Sequence, residues 1–107
     1  MRDIMGLMKQ AQAMQAKMQD LQAEMDRTEV EGRSGGGLVR VTLSAQGAMR
    51  ALNVDASLMK AEDKEILEDL VVTAHADARK KADALREDKM KAVTAGLPLP
   101  PGMKLPF

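Results

Sequence analysis

The first quarter of the chain carries a row of apolar residues that are alternately three and four positions apart. The row consists of Ile4, Leu7, Ala11, Met14, Met18, Leu21 and Met25. This spacing is typical of the seam of an α-helix that packs against another helix, and it predicts a helix over residues 1–27. Such a helix is about 36 Å long, more than so small a domain can cover. We therefore expect its seam to contact a partner helix, within the chain or across a homodimer, through Leu7, Met14, Met18, Leu21 and Met25.

The hydrophobic period changes to two after residue 27, which indicates β-strands. Three runs show this alternation: "TEVEG", "LVRVTLS" and, after a Gln-Gly turn signal, "AMRALNVD". In the second run Val39, Val41 and Leu43 share one face. In the third run strict alternation puts Arg50 on the same face as Leu52. The runs predict a three-stranded antiparallel meander over residues 28–54.

Three consecutive glycines at positions 35–37 stand directly before the second run. A phosphate-binding loop requires a helix after the glycines and usually a Lys followed by Ser or Thr. Here β-forming residues follow, so a phosphate has no helix N-terminus to bind. We interpret the cluster as the turn of a hairpin, in which glycine supplies positive φ angles.

The second half of the chain begins with a connector over residues 55–62, where Asp55 or Ser57 is expected to cap a helical turn. A second helix is predicted over residues 63–95, because an apolar stripe at helical spacing runs along it. Its members are Ile66, Leu67, Leu70, Val71, Ala74, Ala78, Ala82, Leu85 and Val93. Four prolines predict an extended tail over residues 96–107. The fold class is therefore α+β: a long helix, a meander and a long helix in a single domain spanning residues 1–107.

Composition argues against an enzyme. Cysteine is absent, so the chain has neither a thiolate nucleophile nor a cysteine zinc site. His75 is the only histidine and has no carboxylate motif around it. We expect no catalytic residue, no metal, no cofactor and no small-molecule substrate. No signal peptide pattern and no run of roughly 20 apolar residues is present, so we expect a cytoplasmic protein that does not contact membranes.

Charge is balanced overall, with 16 basic and 16 acidic residues, but its distribution is uneven. Residues 62–69 hold five acids and one base, whereas residues 79–91 hold six bases and three acids. The first helix is basic before residue 20 and acidic after it. If both helices pack antiparallel from one sheet, their basic ends meet at a distal tip that faces a polyanion. The candidate DNA contacts there are Lys9, Lys17, Arg79, Lys80, Lys81, Arg86, Lys89 and Lys91.

Four segments together resemble the YbaB/EbfC family of bacterial nucleoid-associated proteins. In chain order they are "DIMGLMKQAQAMQAKMQDLQAEM", "VEGRSGGGLVRVTLSAQG", "DKEILEDLVVTAHADARKKA" and "GLPLPPGMKLPF". The resemblance implies a tweezer-like homodimer that binds double-stranded DNA in the nucleoid without a helix-turn-helix. It identifies no individual DNA contact, so the candidate residues rest on the charge distribution.

Two classes of function remain open from the sequence. The first is a nucleoid-associated protein that binds DNA through phosphates with low sequence specificity, alters DNA conformation, organises the nucleoid and influences gene expression. The second is a helical adaptor or chaperone-like module that binds proteins through the Met-rich helix and the proline tail. A strong salt dependence of binding to duplex DNA distinguishes the first class from the second.

Overall fold

The computed structural model describes the backbone of residues 2–94 and the side chains of residues 3–93. The elements are α1 (Arg2–Arg27), β1 (Glu29–Ser34), β2 (Val39–Ser44), β3 (Met49–Val54) and α2 (Lys64–Thr94). The predicted α+β order of helix, meander and helix is confirmed. Two short 3₁₀ turns, Ala56–Leu58 and Ala61–Asp63, form the connector, and the first is capped by the Asp55 carboxylate. The predicted tail over residues 96–107 lies outside the described residues.

The three strands pair in chain order and each pairing is antiparallel. Val39, Val41 and Leu43 of β2, the central strand, are fully buried and form the centre of the main core. Strict alternation on a half-buried strand puts such β-branched and aliphatic residues on the face that packs against a helix. The face predicted from the alternation of β2 is confirmed.

The glycine cluster forms the β1–β2 turn. Gly35, Gly36 and Gly37 have φ angles of 60°, 69° and 97°, in the region that L side chains avoid. The next element is β2 and not a helix. The interpretation as a hairpin turn is therefore confirmed.

A stripe of small residues brings α2 very close to β1. Ala74 and Ala78 are fully buried against the sheet, and they meet Gly32 of β1. A Cβ atom added at Gly32 would overlap the Ala74 carbonyl oxygen and the Ala78 amide nitrogen. Near the start of β1, the Glu31 carbonyl accepts from Lys81 of α2. At the end of β1, the Ser34 hydroxyl donates to the Leu70 carbonyl, which lies nearer the start of α2. Strand β1 thus runs antiparallel to α2.

A β-bulge in β3 changes the predicted faces of that strand. Leu43 of β2 is paired with Met49, whereas Thr42 is paired with Ala51, so Arg50 is the extra residue. The strict alternation predicted for this run is therefore interrupted at Arg50, which has no partner in the β2 register. Arg50 instead donates to the carboxylate and the backbone carbonyl of Asp26, near the end of α1.

The last turns of α1 pack against α2 within the described part of the protomer. Leu21 and Met25 are buried in a second cluster with Ala45, against Leu85, Met90 and Val93 of α2. Met14 and Met18 are partly exposed, and Leu7 is 63% exposed. Every side chain from Asp3 to Ala13 is exposed. The predicted seam is thus divided between a part that contacts α2 and a part that this protomer leaves uncovered.

Candidate nucleic-acid interface

Lys81 and Asp77 attach the middle of α2 to β1. Lys81 Nζ donates to the Glu31 carbonyl at 2.8 Å and forms an ion pair with Asp77 at 3.3 Å. The backbone N–H of Arg33 donates to the same Asp77 carboxylate at 3.0 Å. The hydrogen bond from Arg33, together with that from Lys81, holds the pKa of Asp77 below its ordinary value. The Lys81 ammonium therefore lies beside the sheet and stabilises the contact between α2 and β1.

Arg79 and Arg86 converge on one carboxylate of α2. Arg79 Nε is 3.3 Å from Asp83 Oδ1, and the terminal nitrogen of Arg86 forms an ion pair with the same oxygen. The pairs have i,i+4 and i,i+3 spacing, which places all three side chains on one side of the helix. The Arg79 guanidinium also lies beside the β2–β3 turn, where a Cβ at Gly47 would be 3.3 Å from it. Two candidate DNA contacts thus share one acid.

Lys89 joins the two helices. Its Nζ is 2.7 Å from Glu24 Oε1 of α1. The hydrogen bond from Lys89, and then its positive charge, holds the pKa of Glu24 below its ordinary value. This ion pair lies at the edge of the cluster around Leu21 and Met25.

Three candidates have no ion pair with any residue from 3 to 93. Lys9 and Lys17 lie on the exposed part of α1, and Lys80 lies on the exposed side of α2. Lys91 is also exposed, near the end of α2. Lys9, Lys17 and Lys80 are therefore the candidates whose charge a polyanion could neutralise without first displacing a carboxylate.

The prediction of a single distal tip needs correction for Arg79, Lys80 and Lys81. These residues lie at the level of the sheet, because α2 packs along β1 at least as far as Lys81. Arg86 and Lys89 lie farther along α2, toward its contact with α1. Lys9 and Lys17 are exposed on α1. The candidates are thus spread along both helices rather than gathered at one tip, and DNA contact by each of them stays a prediction.

Two arginines on the outer face of the sheet are absent from the candidates that the sequence predicts. Arg33 and Arg40 are directly opposite each other in the β1–β2 register. Both contact Glu31, at 3.1 Å and 3.9 Å, and both are exposed. The alternation of β2 is enough to place Arg40 on the outer face, since Arg40 lies between buried Val39 and Val41. The sequence around Arg33 indicates its face less clearly, because the neighbouring Gly32 and Ser34 are not hydrophobic.

The acidic part of α2 lies at the other end of the helix. Glu65, Glu68 and Asp69 are exposed in its first turns, close to Leu70, which contacts Ser34 at the end of β1. Acidic side chains are favourable at a helix N-terminus because of the helix dipole. This end carries the charge that repels a polyanion, as expected from the sequence.

Within the described residues, no group of three or more His, Cys, Asp or Glu side chains is placed to bind a metal ion. His75 is partly buried on α2. None of the helices in this part of the chain is long and apolar enough to cross a membrane.

Comparison with known proteins connects this arrangement to a family. The model of the YbaB/EbfC DNA-binding family matches residues 1–97. The chain belongs to the YbaB/EbfC family. Over its full length it is 69% identical to a nucleoid-associated protein of Methylocella silvestris and 58% identical to one of Rhizobium meliloti, and both alignments cover all of each chain. The family and these relatives are described as DNA-binding or nucleoid-associated proteins and not as enzymes.

The fold of this YbaB/EbfC protein is also found in a solved structure. The crystal structure of an uncharacterized protein from Helicobacter pylori matches with a TM-score of 0.73 and 27% sequence identity. The match covers 80% of this chain and 90% of the other. The resemblance stated from the sequence is therefore confirmed for the family and for the fold.

Proposed function

We propose that this protein binds double-stranded DNA in the nucleoid, mainly through phosphates and with low sequence specificity, and thereby organises DNA and influences gene expression. Membership of a DNA-binding family over residues 1–97 is the observation that carries the proposal. The lysines and arginines along α1 and α2 support it, because such side chains supply the phosphate contacts that dominate affinity for duplex DNA.

Composition favours a duplex over single-stranded DNA. Proteins that bind single strands stack the bases on aromatic side chains. This chain has one Phe, at position 107, and neither Trp nor Tyr. A duplex presents its phosphates without the need for stacking, so the lysines and arginines suffice.

The balanced net charge requires a local binding surface. The chain has zero formal net charge, so attraction depends on where the cations lie. Lys9, Lys17 and Lys80 are exposed and have no ion pair with another residue of the described part. The acidic first turns of α2 repel DNA from the opposite end of the subunit. We therefore propose that DNA lies along the basic part of α1 and the later turns of α2.

Removing the two lysines of α1 should weaken binding in a salt-dependent way. We expect Lys9→Gln with Lys17→Gln to lower affinity for a random duplex and to reduce the slope of log K against log salt by roughly 0.9 for each phosphate that is no longer neutralised. Both side chains are exposed, so the fold should be unaffected. Gel-shift titrations at several salt concentrations measure both quantities.

Lys64→Gln is the matched control for this experiment, because Lys64 is exposed in the acidic part of α2. It should leave the affinity and the salt slope nearly unchanged. If Lys64→Gln is the more damaging change, DNA lies against the acidic end and the proposed surface is wrong. If the unmodified protein shows no salt-dependent binding to duplex DNA, the proposed function itself fails.

The proposal includes a homodimer, supported by apolar surface that one protomer leaves uncovered. Ile4 and Leu7 of α1 are 60% and 63% exposed. Helix α2 packs on β1 and β2, so Met49 and Leu52 of β3 are also exposed. A row of exposed apolar residues along one helix, as on α1, is typical of an interaction site. We propose that a second copy covers the outer part of the α1 seam.

Leu7→Asp should shift the protein toward monomer, because it introduces a charge into the proposed interface. Sedimentation equilibrium at micromolar concentration should give twice the chain mass of 11.6 kDa for the unmodified protein and a lower mass for the variant. Gln12→Asp, on the opposite side of α1, is the matched control and should remain dimeric. A monomeric unmodified protein at this concentration would contradict the proposal.

The adaptor or chaperone-like alternative is favoured by the same uncovered row on α1. It predicts tight binding to another protein with no shift of duplex DNA. The gel-shift titration therefore decides between the two functions.

A further inference from the structure

Helix α2 carries two arginines that both contact a single acid. Arg79 Nε and a terminal nitrogen of Arg86 both contact Oδ1 of Asp83. The arginines are seven residues apart, about two helical turns, and Asp83 lies between them. Arginine binds carboxylates and phosphates through the same guanidinium N–H groups. The Asp83 carboxylate therefore occupies the position that a phosphate oxygen would take.

This cluster is open to solvent. The Arg79 and Asp83 side chains are 51% and 50% exposed. They line a shallow concavity of α2 together with His75, Ala76, Lys80, Ala84 and Glu87. The two alanines leave space above the helix, so a ligand can approach the Arg79 guanidinium and the Asp83 carboxylate from outside.

Arg86 is held more firmly than a typical surface side chain. Its Nε is buried and has no hydrogen-bond acceptor among the described residues, although its terminal nitrogen contacts Asp83. Burial of the Nε end restricts the orientation of the planar guanidinium, so its outer edge is presented toward Asp83 before any ligand arrives. Such a preorganised donor loses less conformational entropy on binding.

We propose that Arg79 and Arg86 form a phosphate-binding site of which Asp83 is the internal, competing ligand. A DNA phosphate displaces the Asp83 carboxylate and takes over its ion pairs with the two guanidinium groups. The exchange is feasible because exposed ion pairs contribute little net stability. Asp83 therefore lowers the affinity of this site for DNA. The inference rests on the proposed DNA-binding function. It adds that Asp83 keeps Arg79 and Arg86 from binding phosphate freely.

Asp83→Asn should strengthen DNA binding, since it removes the competing charge and leaves both arginines in place. We expect the affinity to rise about tenfold and the salt slope to become steeper by roughly 0.9 for each additional phosphate that the protein neutralises. Glu87→Gln removes one negative charge from the same concavity, and Asp88→Asn makes the same chemical change nearby. Both acids are exposed and have no ion pair in the described part of the chain. If either control equals Asp83→Asn, the increase is general electrostatics and the proposal is wrong.

The increase in affinity must also depend on the arginines. In the Asp83→Asn background, Arg79→Gln with Arg86→Gln should abolish the increase and flatten the salt slope. If the triple variant still binds DNA as tightly as Asp83→Asn alone, the proposal is overturned. Urea unfolding of each variant shows whether the fold is retained.

A second measurement does not depend on DNA. Titration with inorganic tripolyphosphate, followed by the NMR signals of the arginine Nε–H groups, should perturb Arg79 and Arg86, and at lower ligand concentration in Asp83→Asn. If neither protein shows these perturbations, the phosphate site does not exist. If tripolyphosphate binds as expected but duplex DNA does not bind to any variant, the phosphate site stands and the proposed DNA-binding function fails.

Discussion

Gly32→Val is expected to prevent α2 from packing on the sheet. The strand and the helix approach each other so closely that a Cβ at position 32 would overlap the backbone of Ala74 and Ala78. Backbone atoms cannot move aside as a flexible side chain can, so the helix must separate from β1. Val39, Val41 and Leu43 would then lose part of their cover. We expect a loss of more than about 4 kcal/mol, a large part of the roughly 5–15 kcal/mol that stabilises a typical domain.

Circular dichroism and urea unfolding measure this loss. Gly6→Val is the matched control, because Gly6 lies on exposed α1 and a Cβ there meets nothing within 4 Å. Valine has a higher helix propensity than glycine, so the control should be neutral or slightly stabilising. Equal urea midpoints for Gly32→Val and Gly6→Val would show that the close approach of α2 to β1 is not required.

Leu21→Asp is expected to release α1 from α2. Leu21 is 7% exposed and packs with Met25 and Ala45 against the end of α2. An aspartate there loses the apolar contacts and places a carboxylate without a partner in an apolar cluster, at a cost of at least about 3 kcal/mol. The ion pair between Lys89 and Glu24, at the edge of this cluster, should weaken with it.

Limited proteolysis together with urea unfolding detects the release of α1. Cleavage within α1 should become faster in Leu21→Asp, and the unfolding midpoint should fall. Gln12→Asp makes the same addition of charge at an exposed position of the same helix and should change neither quantity. Unchanged proteolysis of Leu21→Asp would mean that the inner end of the seam does not hold α1 in place.

The local patterns of the sequence are sufficient for the elements and for several buried faces. A period of two in β2 places Val39, Val41 and Leu43 on the core side, and they are fully buried. Consecutive glycines before a run of β-formers predict a turn, and all three have positive φ. These features depend on residues that are close in sequence, so no knowledge of distant contacts is needed to infer them.

The candidate site is predictable only in part. The sequence shows which part of α2 is basic, but it does not show how far that part lies from the sheet. The charge pattern predicts Arg79 and Lys81 at a distal tip, yet they lie beside the sheet, because α2 packs along β1. The position of a helix along a sheet depends on which small residues of each element meet, here Gly32 with Ala74 and Ala78. A helical stripe shows which side faces the sheet but not how far along it the helix lies.

The sequence by itself determined the type and order of the elements, the core face of β2 and the separation of acidic and basic charge along α2. Only the tertiary structure decided which half of the α1 seam is used within the protomer, where the bulge at Arg50 interrupts β3, and which lysines remain without an ion pair in the described residues. The physical reason is that periodicity and propensity act over a few neighbouring residues. Packing partners and ion pairs such as Glu24 with Lys89, 65 positions apart, exist only after the chain has folded.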